Sequence, residues 1–290
     1  MAAERNISSA ILFVNLKKNA RAVADEIRLE LEKQGINVTV FAFEGRPDNC
    51  PQGKWDIAFS LGGDGTVLYT ARMLASSGTP ILPVHLGTLG FIAGIEKHKW
   101  PFVYNQWLNN TARLSPRCML DISVERGGSS VMRNTCLNDT VICASGIAKM
   151  IWLNVKTETA PGEFADLGRY RADGLIISTP TGSTAYSMAA GGPILDPEMQ
   201  ALIISPVCPF TISNRPIVLP SDQTVLVSVE KEQRSGVLLT VDGQDTFELE
   251  TGDDIIIRQS ARNAVLITSG RSAYYSALRG KLSFGGGVNA

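Results

Sequence analysis

The sequence predicts two dissimilar domains: an α/β first domain on a parallel sheet and a β-rich second domain, with the C-terminal tail returning to the first. Three observations predict this. The chain has 290 residues, enough for about two domains at ~150 residues each. Over the first hundred or so residues, apolar runs alternate with amphipathic charged stretches, the pattern of parallel strands and the helices that cover them. From Arg117 onward the rhythm changes to period two, Met119-Asp121-Ser123-Glu125 against Leu120-Ile122-Val124, as in half-buried strands.

Ser9 to Val14 reads as a first buried strand. Asn19 to Gln34 places Ala20, Val23, Ile27 and Leu31 at helical spacing, with Gly35 as a C-cap. Ile36 to Phe41 is the next strand, and a turn-rich loop, Gly45 to Lys54, leads to the strand Trp55 to Leu61, which stops at Gly62-Gly63. Thr66 to Ala75 is helical, Pro80 to Val84 a fourth strand, and Lys97 to Asn110 a helix with Trp100, Tyr104 and Trp107 on its apolar side. The polar stretch Thr111 to Pro116 separates the two patterns. It sets a first domain of residues 1–112, joined by 270–290, and a second of 113–269. In the second, after the turn Gly127-Gly128, strands are expected at Ile151–Thr157, Leu175–Ser178, Thr224–Glu230, Val237–Val241, Asp254–Arg258 and Ala264–Thr268, with one helix at Ser183–Ala190. Gly285-Gly286-Gly287 reads as a frayed end.

Composition narrows the function classes. Lys and Arg number 27 against 28 Asp and Glu, 19% of residues are charged and 44% are hydrophobic, which excludes a disordered chain. A net charge of −1 supplies no global field for nucleic acid or anionic lipid, so neither is an expected partner. No run approaches ~18 apolar residues, and Ala10 to Val14 is too short for a secretory signal; the expected location is the cytoplasm. Five cysteines, Cys50, Cys118, Cys136, Cys143 and Cys208, lack a CxxC pair, which fits neither a disulfide framework nor a zinc ribbon. No His/Asp/Glu cluster marks a permanent metal site.

Two segments carry chemistry. Leu61-Gly62-Gly63-Asp64-Gly65-Thr66 stands at a strand-to-helix junction, where glycines allow close backbone approach and a helix N-terminus favours an anion. The alternative is a plain turn with Asp64 as helix N-cap. The segment is neither a Walker A loop nor GxGxxG. In the second segment, Tyr170 to Tyr186, hydroxyl residues crowd between a strand and a helix and are expected to supply donors at a second helix N-terminus. Arg171 and Asp173, two apart on an extended stretch, would face the same side.

With these residues quoted, the sequence resembles the NAD kinase family. Gly62 to Thr66, Asn138-Asp139, Asp173 to Tyr186, Ser213 to Pro216 and Val241 to Gln244 match, in order, that family's GGDGT, Asn-Glu/Asn-Asp, DGxxxSTPTGSTAY, SNRP and VDGQ segments. GGDGT alone is shared with diacylglycerol and sphingosine kinases and phosphofructokinases; TPTGSTAY is the specific one. The resemblance implies phosphoryl transfer from ATP, or from polyphosphate, to the adenosine ribose 2′-hydroxyl of NAD, giving NADP, with Mg²⁺ or another divalent cation arriving with the donor. It implies a substrate site between the domains and a homodimer or homotetramer assembled through the second domain.

Residue by residue, the resemblance implies Asp64 as general base, Gly65 beside the substrate, Asn138 and Asp139 on the ribose, and Asp173 facing the nicotinamide half. Thr184, Ala185, Tyr186 and Ser187 would line the dinucleotide site, and Gln244 would touch it. Arg171 and Lys149 match basic positions of relatives, although Lys149 reads equally as a solvated loop cation. Two departures stand out: Phe210 replaces the His of the family's CPHT, and Pro83 opens the stretch to Phe91 where relatives begin with Gly and carry Asn or His third, so that His85 reads either as lining the site or as structural. His98, between two lysines, reads as solvated. A lipid kinase and a non-catalytic dinucleotide sensor remain the rival readings.

Overall fold

The computed structural model describes residues 4–18, 20–45, 47, 51–87, 90–211 and 213–282. Cys50, Thr88, Leu89 and Gly285 to Gly287 therefore lie outside the described residues. The chain divides into two compact units, Met1–Pro116 with Ala264–Ala290, and Arg117–Asn263.

The first unit runs β1 (Ser9–Asn15), α1 (Ala20–Lys33), β2 (Asn37–Phe43), β3 (Ile57–Gly62), α2 (Asp64–Leu74), β4 (Ile81–His85), β5 (Ile95–Glu96), α3 (Trp100–Leu108) and β6 (Arg113–Arg117). The second unit follows with β7 (Leu120–Arg126), β8 (Ser129–Cys136), β9 (Asp139–Ala144), β10 (Ile151–Ala160), β11 (Glu163–Ala172) and β12 (Gly174–Ser178). It continues through the one-turn α4 (Tyr186–Ala189), β13 (Ala201–Val207), β14 (Ile217–Pro220), β15 (Val225–Val229), β16 (Val237–Val241), β17 (Asp245–Leu249) and β18 (Asp254–Gln259). The chain then re-enters the first unit with β19 (Ala264–Thr268) and α5 (Arg271–Leu282).

In the first unit the sheet order is β2-β1-β3-β4-β19-β6, with β5 beside β4. Strand β1 lies parallel to β2 and β3, and β4 lies parallel to β3, β5 and β19. All six residues of β3 and the middle five of β1 are buried, which is why β1 reads as an unbroken apolar run and β3 as one interrupted only by the buried Ser60. Helix α1 buries Ala20, Ala24, Ile27 and Leu31, the stripe its spacing predicted. Helix α3 begins at Trp100 rather than Lys97, with a proline in its first turn, where a missing N–H costs nothing. Its Trp100 and Tyr104 rings pack against Phe59.

The second unit is two six-stranded sheets, β11-β10-β15-β18-β7-β8 and β14-β13-β12-β9-β16-β17, with antiparallel pairing throughout. Alternate residues of both, such as Leu153 and Val155 on β10 and Leu239 and Val241 on β16, share one core, the arrangement of a sandwich.

Three differences from the sequence reading have physical causes. Ala264–Thr268, which the sequence places with the β-rich half, forms β19 of the parallel sheet; a short, mostly apolar run suits either environment. Strands β9 and β13 were not anticipated, because they are buried on both faces along most of their length and show no alternation. The helix expected at Ser183–Ala190 is a 3-10 turn, Gly182–Thr184, followed by the four-residue α4. Among the described residues no helix is long and apolar enough to cross a membrane.

Candidate functional site

In the first unit, β3 ends at Gly62, and a Cβ on that residue would lie 2.1 Å from the Thr66 hydroxyl, so only glycine lets α2 start so tightly. Gly63 is the helix N-cap, with no side-chain cap bond, and Asp64 is the first helical residue. The plain-turn alternative, Asp64 capping its own helix, is thereby set aside. Its carboxylate reaches across to a bend after β4: Oδ2 accepts the Phe91 N–H (2.9 Å), and Oδ1 accepts those of Ile92 (3.2 Å) and Ala93 (2.8 Å). A Cβ on Gly90 would sit 1.8 Å from Oδ1. A carboxylate has about four acceptor positions; with three engaged, one remains on Oδ2 among the described residues. Gly65, next in α2, is exposed. His85 ends β4 in register with Gly62, and its Nδ1 lies 3.0 Å from the Gly87 carbonyl.

In the second unit, β8 ends at Cys136, Asn138 immediately precedes β9, and Asp139 opens it. Asp242 and Gly243, both at positive φ (52° and 63°), form the tight hairpin turn from β16 to β17 that Asp-Gly favours. That turn presents the Asp242 carboxylate to three backbone N–H groups, Leu137 (3.1 Å), Asn138 (2.7 Å) and Asp139 (3.3 Å). The Asn138 carbonyl accepts from Thr179 N–H (2.8 Å) and the Ser178 hydroxyl (3.2 Å), while its side-chain Oδ1 is buried without a partner among the described residues. Burial and the neighbouring Asp242 charge push the Asp139 carboxyl up to about 7, so near neutrality it holds a proton part of the time.

The hydroxyl-rich segment behaves differently from the expectation. Ser178, Thr179, Ser183 and Thr184 donate to backbone carbonyls, and Ser187, fully buried, pairs with Ser205 at 3.0 Å. These hydroxyls lock the segment onto β9 and β13, and α4 is too short to offer the expected helix N-terminus. Sequence reasoning missed Thr181, whose buried Oγ1 has no partner among the described residues; only its place in TPTG signalled it. Tyr186 is half-exposed. Burial first, then the nearby Cys143, Cys208, Asp173 and Asp139, raise its phenol above the ordinary range, so at neutral pH it is an O–H donor. Asp173 and Asp139 thus lie within electrostatic reach of Tyr186, with Thr184 and Ala185 partly exposed just before the tyrosine.

Arg171 on β11 pairs across the ladder with Trp152. Gln244 closes the Asp-Gly turn, its N–H 2.9 Å from the Val241 carbonyl. Lys149 is exposed on the loop after β9 and has no acidic partner among the described residues. His98, exposed, pairs with Glu96. No group of three or more His, Cys, Asp or Glu side chains able to hold a metal ion occurs among the described residues.

The family model described as the ATP-NAD kinase N-terminal domain matches residues 16–112, and that of the C-terminal domain matches 137–269. The chain belongs to the ATP-NAD kinase family. The NAD kinase of Treponema denticola is 39% identical over 271 residues, covering 93% of this chain and 94% of that protein. The NAD kinase of Geobacter sulfurreducens is 39% identical over 274 residues, covering 91% and 94%. A crystal structure of yeast NADH kinase complexed with NADH superposes with a TM-score of 0.83 at 25% identity, over 97% of this chain and 89% of that one. An Archaeoglobus fulgidus NAD kinase in complex with ATP shares the fold, with a TM-score of 0.71 at 22% identity over 96% and 99%.

Proposed function

We propose that the chain is an NAD kinase, transferring the terminal phosphoryl group of ATP to the adenosine ribose 2′-hydroxyl of NAD to give NADP, with Asp64 as general base. Family membership supports the reaction. The observation that carries the residue assignment is the remaining acceptor position on Asp64 Oδ2 at the end of β3, since carboxyl ends of parallel strands are where such sheets bind ligands. The ribose 2′-oxygen attacks the terminal phosphorus, the bond from phosphorus to the bridging oxygen of the departing diphosphate breaks, and the hydroxyl proton passes to Oδ2. Phosphoryl transfer of this kind depends on positioning and charge stabilisation more than on covalent chemistry by the protein.

Asn138 and Asp139 are assigned to the ribose, Tyr186 and Asp173 to the rest of the dinucleotide, with Gly65, Thr184, Ala185 and Gln244 lining it, while Ser187, fully buried against Ser205, holds the segment from behind. Asn138 Oδ1, buried and without a partner among the described residues, supports this, because a buried acceptor left unpaired is costly until a ligand donor meets it. A divalent cation, Mg²⁺ in the case of ATP, would arrive on the donor's phosphates and would neutralise their charge. Polyphosphate as donor, assembly as a homodimer or homotetramer and a cytoplasmic location complete the proposal.

The test compares NAD with an analogue whose adenosine is 2′-deoxy, using mass spectrometry. NAD should gain one phosphate and become a substrate for an NADP-dependent dehydrogenase, and the analogue should emerge unchanged. A phosphorylated analogue would assign transfer to another hydroxyl. NAD binding without any ATP consumption would favour the dinucleotide sensor.

A further inference from the structure

Arg169 and Arg171, two residues apart on β11, both lie against Trp152, with Cζ 4.3 and 5.3 Å from its ring centroid. Their surroundings differ. Arg169 is paired with Glu230, two contacts at 2.7 Å, and with Glu232 at 3.6 Å. Arg171 has no carboxylate partner among the described residues; instead its Cζ stands 4.4 Å from the centroid of Phe210. Phe210 is 62% exposed, so core packing does not account for its place. The turn that delivers it is held firmly: the Phe210 N–H donates to the Arg171 carbonyl at 2.9 Å, and Cys208 adopts φ 45°, a conformation a non-glycine residue keeps only when its surroundings enforce it.

We propose that Phe210, with Trp152, is a positioning residue for Arg171, holding the guanidinium against two rings so that its N–H groups stay available to a phosphate oxygen of the dinucleotide. The identity of that ligand rests on the NAD kinase reading. An unrestrained arginine loses rotamer freedom when it binds; one already stacked has lost it beforehand. Stacking on a ring face uses none of the guanidinium donors, which lie in its plane and match a phosphate in pairs. A histidine at residue 210, as in the CPHT form, offers a smaller ring that can itself become cationic against Arg171.

Steady-state NADP formation by the parent, Arg171→Ala, Phe210→Leu and Phe210→Tyr tests this, with melting temperatures measured alongside. Phe210→Leu should raise KM for NAD about three- to tenfold, with kcat, KM for ATP and Tm close to the parent. Arg171→Ala should raise KM for NAD at least as much, and Phe210→Tyr should restore the parental value. If Arg171→Ala raises KM but Phe210→Leu does not, the positioning role is overturned. A Phe210→Leu variant that loses kcat and Tm together, or one that Phe210→Tyr does not rescue, marks Phe210 as structural and overturns it too. If Arg171→Ala leaves KM unchanged, Arg171 does not meet the dinucleotide and the inference fails, while NADP formation by the parent keeps the function itself a separate question.

Discussion

Replacing Asp64 by Asn separates two roles of one carboxylate. In the parent, its oxygens accept from Phe91, Ile92 and Ala93. An Asn side chain can keep its oxygen toward Ile92 and Ala93, now without charge, but its amide nitrogen then faces the Phe91 N–H, donor against donor. A bond to a charged acceptor contributes ~1.5–3 kcal/mol and a neutral one ~0.5–1.5 kcal/mol. One bond lost and two weakened, discounted for the partial exposure of Asp64, comes to about 2–4 kcal/mol. That corresponds to a fall in Tm of roughly 5–15 °C for a chain of this size. Loss of the base should lower kcat by ~10²–10⁴-fold. Gly90→Ala is the companion variant: its Cβ would meet Oδ1 at 1.8 Å, so it displaces the carboxylate without removing it and should also lower kcat. Coupled NADP assays and scanning calorimetry read both effects. Parental kcat in Asp64→Asn refutes the base assignment. A lost kcat with an unchanged Tm refutes the claim that the carboxylate holds the segment after β4.

Two other perturbations follow from the second unit. The Asp139 carboxyl, raised from 3.8 to about 7, is protonated in the folded state over a range where the unfolded chain has released its proton. Its contribution therefore diminishes as pH rises from ~4 and levels off above ~7. Asp139→Asn, always neutral, should gain stability relative to the parent between pH 5 and pH 8, by up to about 4 kcal/mol, read as a raised Tm, and a pH-independent difference in Tm would contradict this. Gly182→Ala places a Cβ 2.2 Å from the Asn138 carbonyl oxygen, a backbone atom that cannot swing aside; it should lower Tm and weaken NAD binding in calorimetry, and a parental Tm would show that the close approach is not needed.

The parallel sheet was legible because β1 and β3 are buried on both faces and α1 on one, and burial of that kind writes itself into runs and stripes of apolar residues. Asp64 was legible as a lone carboxylate among glycines, but its partners were not, since Phe91 to Ala93 meet it through backbone N–H groups and no side-chain pattern encodes that. Asp242 shows the same divide. Its Asp-Gly turn is a local signal, whereas the grip of its carboxylate on residues 137–139 spans more than a hundred positions. The hydroxyl cluster misled for the opposite reason. Serine and threonine look alike whether they face a ligand or fasten a loop, and here most of them fasten it.

The position of β19 between β4 and β6 bears on the birth of the protein at the ribosome. Strand β4 is complete at residue 85, yet the neighbour that extends the sheet beyond it begins at residue 264. At ~5–20 residues per second, about 180 further residues take roughly 10–35 s to synthesise. Throughout that interval the nascent first unit has β4 without β19, leaving unpaired backbone groups of the kind that invite pairing with other chains. The second unit, contiguous from Arg117 to Asn263, has all of its strands at hand before the first unit receives its last. The order of maturation is thus inverted: the later-made half is the one able to close first, and a truncation ahead of Ala264 would release a chain whose N-terminal sheet can never be finished.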